Sequence, residues 1–378
     1  MTLFRRSNLK PWSAVGIGYI VLGLVGAMFA LPTAVFAAAQ EKIHDIRVVV
    51  DISGSMKKSD QNNVRIPATE LLVNLFPKGS RAGIWVFGQQ VDRLVPLDTV
   101  DDQWKQKALR NTKKISSTSL RTNIGEALLK ASVGWEKPDK RYKRSIILLT
   151  DGKVDVSADA KMNQSARERL LNSILPQLRT KGININTIAL SADADSELME
   201  KLAVATDGKF STINSANDLL KTFVNTFDKV VPLDQVPLKG NRFAIDKSIN
   251  EFTALIFTHE KAAATVLQTP SGSKYDKDQH DASVQWFHAD NYDLITVSKP
   301  EAGQWLLLGE SDESNRVTVV SDLKLQVAAI PVNILAGERV AIDISLLEHD
   351  KLLDKKAFLD VLSIQVSQQH VGGQQWSA

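Results

Sequence analysis

The 378 residues carry 46 basic and 43 acidic side chains, a formal charge of +3, in a background of 43% apolar and 24% charged residues. That composition excludes wholesale disorder and is long enough for two or three domains, each with its own core. Arg5, Arg6 and Lys10 supply the whole positive excess, so the body has no basic field to recruit nucleic acid or an anionic surface.

Residues 11–40 carry no charge, and an apolar run follows the basic start. Residues 1–39 read either as a signal peptide cleaved after Ala39 or as an N-terminal membrane anchor spanning residues 12–36. Both readings place the body outside the cytoplasm, in the periplasm or cell envelope. The chain has no cysteine, so it offers no disulfide and no thiolate chemistry, which fits a bacterial envelope protein.

From Ile46 the pattern alternates short β-branched runs with amphipathic stretches. Strands are predicted at Ile46–Val50, Ala82–Phe87, Ser145–Thr150, Ile183–Leu190 and Lys209–Ile213. Helices are predicted at Val64–Leu75, Asp101–Leu109, Ile124–Val133, Gln164–Arg179, Ser196–Ala205 and Ala216–Phe227, the fourth kinking or ending at Pro176. A turn at Gly88-Gln89-Gln90 leads into an antiparallel edge strand near Val91. Alternation of this kind predicts an α/β domain over 42–231, a doubly wound, mostly parallel sheet covered on both faces.

Residues 232–240, with Pro232 and Pro237, read as a linker. Beyond it the period falls to two, and short strands between turns predict a β-sandwich over 241–312. Strands at Val317–Val320, Lys324–Ala329, Val340–Leu346 and Phe358–Val366 predict a second, incomplete or minimal β domain over 315–378.

Oxygen-bearing side chains gather at the strand ends of the first domain. Asp51, Ser53 and Ser55 follow the run Val48-Val49-Val50; Thr122 lies in Leu120-Arg121-Thr122-Asn123; Asp151-Gly152 closes Ser145–Thr150. Carboxylates and hydroxyls suit a hard divalent cation, Mg²⁺ or equally Mn²⁺ or Ca²⁺, better than Zn²⁺ or Cu²⁺. No G-x-G-x-x-G or P-loop follows the first strand, so no nucleotide is expected. Ser53 stands where a D-x-D phosphotransferase needs its second carboxylate, and no nucleophile or base is paired with the cluster, so no enzyme is expected. Asp193, Asp195 and Glu197 either border this cleft or start a helix.

These motifs, in this order and βαβ setting, resemble the von Willebrand factor type A domain with a metal-ion-dependent adhesion site. The resemblance implies a Rossmann-like fold and a metal set of Asp51, Ser53, Ser55, Thr122 and Asp151, with Arg121 departing from the glycine common before that threonine. It further implies a bound Mg²⁺ that accepts a carboxylate from a partner protein of the envelope; the alternative is a scaffold or regulatory subunit of an envelope enzyme or transporter complex. The following β module is similar to that of calcium-activated chloride channel regulators, through its P-x-G turn at Pro270 and P-x-x-G-x-W at Pro300. As a whole the chain resembles type A domain proteins of Gram-negative bacteria.

Overall fold

The structure is a computed structural model that describes residues 42–321, except 192–193, 214–215, 260–261 and 310, and beyond them 323–327, 344–348, 351–353, 367–369 and 375–377. The candidate export segment, residues 1–39, and the predicted strand at Phe358–Val366 lie outside the described residues.

The first domain runs β1 (Ile43–Asp51), α1 (Met56–Ser59), α2 (Arg65–Leu75), β2 (Arg81–Phe87), β3 (Val91–Thr99), α3 (Asp102–Thr112), α4 (Ile124–Ala131) and β4 (Tyr142–Thr150). It continues with α5 (Ala160–Arg169), α6 (Leu175–Thr180), β5 (Ile183–Ala189), α7 (Ser196–Val204), β6 (Phe210–Thr212) and α8 (Ala216–Val230). The strands form one sheet in the order β3-β2-β1-β4-β5-β6. Only β3 runs antiparallel, as the hairpin turn predicts.

Burial explains the unbroken apolar runs. Val48, Val50, Ile147 and Leu149 pack toward α2, α3 and α8, whereas Val49, Ile146 and Leu148 pack toward α4, α6 and α7. A parallel strand covered on both faces needs no polar alternation. Asp45 and Arg47 are buried charged exceptions within β1, and they compensate each other: Arg47 Nε lies 3.2 Å from Asp45, and the guanidinium sits 3.5 Å from the Trp135 ring centroid.

Pro176 does not end its helix. Leu170–Ile174 forms a π turn in which the Leu175 amide reaches back to the Leu170 carbonyl, and the helix continues through α6. The wider turn accommodates a residue that has no N–H to give and whose ring would clash in α register.

The second unit is a sandwich. Its strands are β7 (Gln235–Val236), β8 (Arg242–Ile245), β9 (Ile249–Phe257), β10 (Val266–Gln268), β11 (Lys274–Tyr275), β12 (Val284–Ala289), β13 (Tyr292–Ser298), β14 (Gly303–Leu308) and β15 (Arg316–Ser321). They form a four-stranded sheet, β11-β10-β14-β8, and a five-stranded sheet, β12-β13-β9-β15-β7. Two strand placements differ from the sequence reading. Arg316–Ser321, assigned by sequence to the second β domain at 315–378, pairs with β9 in this sandwich, and the 232–240 linker contributes β7, which pairs with β15. Period-two patterning shows that a strand exists but not which open sheet edge it fills. Later strands pair as a three-stranded sheet, β16 (Leu323–Val327), β17 (Ile344–Glu348) and β18 (Lys351–Leu352), and a two-stranded one, β19 (Ser367–Gln369) with β20 (Gln375–Ser377).

The sandwich rests against α2 and α8. Leu255, Phe257, Tyr292 and Leu294 from the five-stranded sheet belong to the same buried cluster as Leu72, Phe76, Phe223 and Phe227. Lys221 of α8 also reaches Asp312 at 2.6 Å, and Arg316 bonds Asp228.

Candidate metal centre

β1 lies at the point where the connections diverge, to β2 on one side and to β4 on the other. The carboxyl ends of β1 and β4 therefore open a crevice, the usual ligand position in an open α/β sheet. Asp51 ends β1, Thr150 ends β4, and Asp151 follows directly.

All five residues singled out in sequence meet in this crevice. Asp51, Ser53, Thr122 and Asp151 are buried and Ser55 is exposed at the mouth. Asp51 Oδ1 accepts from the Ser53 amide at 2.7 Å, which curls the loop back over the strand end. The Ser53 and Ser55 hydroxyls are 3.0 Å apart, and Ser55 donates to Asp151 Oδ1 at 2.8 Å. Thr122 approaches from the other side: a Cβ built on Gly152 would stand 3.4 Å from Thr122 Oγ1 and 3.7 Å from Asp51 Oδ2.

Thr122 is held by backbone. Its amide donates to the Asp155 carbonyl at 2.8 Å and its carbonyl accepts from the Asp155 amide at 3.0 Å. Arg121 turns to the Asp155 carboxylate, 2.9 Å away, so the side chain that replaces glycine is neutralised beside the crevice. Two residues before Arg121, Ser119 donates its amide to Ile52 O at 3.0 Å and its hydroxyl accepts from the Gln89 amide at 2.7 Å. The loop can lie this close because Gly88 has no side chain; a Cβ there would fall 2.1 Å from Ser119 Oγ.

Sequence reasoning missed three contributors. Thr150 donates to Asp51 Oδ2 and accepts the Gly152 amide at 3.1 Å; its hydroxyl at the end of the apolar run Ile146–Leu149 was a usable signal. Ser59, one turn beyond Ser55, donates to Asp151 Oδ2. Arg65, unremarked within the predicted helix Val64–Leu75, is fully buried and donates to the main-chain oxygen of Asp51 and to Ser117 Oγ. Asp195 and Glu197 turn to Arg167, at 2.6 and 3.2 Å, and Asp193 lies outside the described residues.

The electrostatics are those of unmet negative charge. Burial, with a further push from Asp151, raises the Asp51 carboxyl to about 6 against the pull of its hydrogen bonds. Neither Asp51 nor Asp151 forms an ion pair among the described residues. Two adjacent buried carboxylates without a cationic side chain, surrounded by hydroxyls and open at Ser55, fit a hard divalent cation. Among the described residues no group of three or more His, Cys, Asp or Glu side chains converges anywhere, so the oxygen set stays poor in carboxylates. That scarcity, and the absence of any cysteine, leaves no catalytic metal cluster or thiol chemistry among those residues.

Comparison with known proteins gives the domain its family. The von Willebrand factor type A domain family matches residues 45–226, and a domain of that type is present there. No curated protein matches the chain. Among solved structures, a von Willebrand factor type A protein from Catenulispora acidiphila is 13% identical over 81% of this chain and 62% of its own, with a TM-score of 0.43. BatB from Bacteroides thetaiotaomicron is 17% identical over 50% of this chain and 99% of its own, with a TM-score of 0.38. Proximal thread matrix protein 1 from the mussel byssus, described with a zinc-occupied MIDAS motif, is 18% identical over 56% of this chain and 51% of its own, with a TM-score of 0.39. The chain thus spans less than two thirds of the first and third of these proteins.

Proposed function

We propose that the type A domain at 45–226 is a non-catalytic protein-docking module of the cell envelope, in which Asp51, Ser53, Ser55, Thr122 and Asp151 hold Mg²⁺, or Mn²⁺ or Ca²⁺ in its place. The observation that carries this reading is the pair of buried carboxylates, Asp51 and Asp151, without an ion-pair partner among the described residues. When bound, the cation supplies a Lewis-acidic position that accepts a carboxylate from a partner protein. Asp51 and Asp151 provide the charge, Thr150 and Arg65 hold Asp51 in place, and the hydroxyls of Ser53, Ser55 and Thr122 offer neutral donors. Few direct carboxylates leave such a cation incompletely neutralised, and this favours an acidic group from outside. Export through residues 1–39 places the module in the periplasm or on the inner membrane facing outward.

Calorimetric titration of the chelated protein with Mn²⁺ and Mg²⁺ tests the site. Saturable one-to-one binding is expected in the wild type and its loss in Asp51→Ala and Thr122→Ala. Equal binding by all three proteins would overturn the assignment. Capture of envelope proteins, lost in chelator and in Asp51→Ala, tests the docking role; capture indifferent to both would remove the cation from it.

A further inference from the structure

We propose that the partner presents an acidic peptide segment in which an apolar side chain sits within two residues of the coordinating carboxylate; this rests on the cation-docking reading above. Leu120 is 83% exposed, the most exposed of the large apolar side chains described. It stands two residues from Thr122, at most about 7 Å along the chain. Both sides of it are fixed by backbone bonds, Ser119 to Ile52 and Thr122 to Asp155. An apolar side chain held out by an ordered loop contributes to binding without a further cost of ordering, which is the character of an interface anchor.

Charge around the crevice selects the rest of the segment. Lys57 and Lys58 follow Ser55 on α1, are exposed, and make no ion pair with another described residue. Lys153 is exposed beside Asp151. The acidic neighbours are already engaged, Asp60 by Arg65 and Asp155 by Arg121. A cation site flanked by unpaired lysines complements a segment with several carboxylates. Lys57 also lines a cavity of about 310 Å³ between α1 and the loop at 115–117, with Asn63, Ile115 and Ser116 on its walls. Its walls, part polar and part apolar, suit an extended segment leading away from the cation.

The test is a displayed peptide library with one fixed Asp and four randomised positions on each side, selected on the full chain in Mn²⁺ and again in chelator. Expected are cation-dependent binders rich in Asp and Glu, with an apolar residue within two positions of the fixed Asp. Leu120→Ser should erase the apolar preference and weaken selected peptides about tenfold while leaving Mn²⁺ affinity unchanged. The double variant Lys57→Glu, Lys58→Glu should slow association and flatten its salt dependence. Cation-dependent selection of the fixed Asp with no apolar preference, or binding equally strong for polyglutamate, would overturn this inference and leave the docking site standing. Binders indifferent to Mn²⁺ would remove both. Self-association that disappears in Leu120→Ser, without peptide preference, would assign the face to a second copy and overturn the partner proposed here.

Discussion

Arg65 and Asp60 form an ion pair 2.6 Å apart, with 0% and 3% of the two side chains exposed. The remaining guanidinium donors reach the Asp51 carbonyl and Ser117, so one residue joins the α1–α2 turn, the end of β1 and the 115–122 loop. Removing one partner strands the other as an uncompensated buried charge. Arg65→Met and Asp60→Asn should each destabilise the domain by about 3–5 kcal/mol in urea unfolding. A loss below about 1 kcal/mol would show that water reaches the survivor. Arg65→Lys should recover only part of the loss, because an ammonium cannot reproduce the planar fork.

The contact between Gly88 and Ser119 predicts a steric rescue. Gly88→Ala places a methyl 2.1 Å from Ser119 Oγ and 2.2 Å from its Cβ. Overpacking of that kind costs about 1–3 kcal/mol. Adding Ser119→Gly removes both contacts and should return most of the loss in thermal unfolding. Failure of the double variant to recover would locate the strain elsewhere.

His44, paired across the sheet with Lys143, governs part of the acid response. Burial, reinforced by the Lys143 charge and opposed by the Val230 backbone, pushes its imidazole down to about 4. Between about 6.5 and 4 the unfolded chain binds this proton and the folded chain does not. Stability is therefore fully present above pH 6.5 and declines as pH falls toward 4, by at most about 1.4 kcal/mol per pH unit. Compared in urea at successive pH values, His44→Asn should lose less than wild type across this window. Parallel curves would mean that the imidazole protonates freely in the fold.

A shared core predicts shared melting. Phe257 and Tyr292 of the sandwich lie in one cluster with Phe223 and Phe227 of α8. Calorimetry should show residues 42–321 unfolding in a single transition, and Phe257→Ala, at about 3–5 kcal/mol, should shift all of it. Two resolved transitions, only one of them moved by the variant, would refute this.

Much of the crevice was legible because its chemistry is local. Asp51, Ser53 and Ser55 interrupt an apolar run at its end, and the parallel sheet follows from runs too continuous for one solvated face. What escaped depends on long-range placement. Nothing in the helical pattern of Val64–Leu75 marks Arg65 until α2 packs it beneath the Asp51 carbonyl, and Thr150 reads as strand until the pleat turns its hydroxyl toward Asp51. The π turn at Leu170–Ile174 escaped because Pro176 signals a broken hydrogen bond but not how the helix absorbs it. The pairing of β15 with β9 escaped for the reason that several period-two segments compete for each open edge.

Gln235–Val236 has a mechanical meaning. Between the two prolines the chain does not dangle; it is stitched to Val317 and Thr318, and the sandwich it borders presses on α8. The proposed docking face is consequently carried on a bracket instead of a tether. A partner gripped at the crevice would be oriented toward whatever the sandwich contacts, with little rotational freedom left to lose, and tension applied through the C-terminal sheets would load the seam between α8 and the sandwich before it reached the grip.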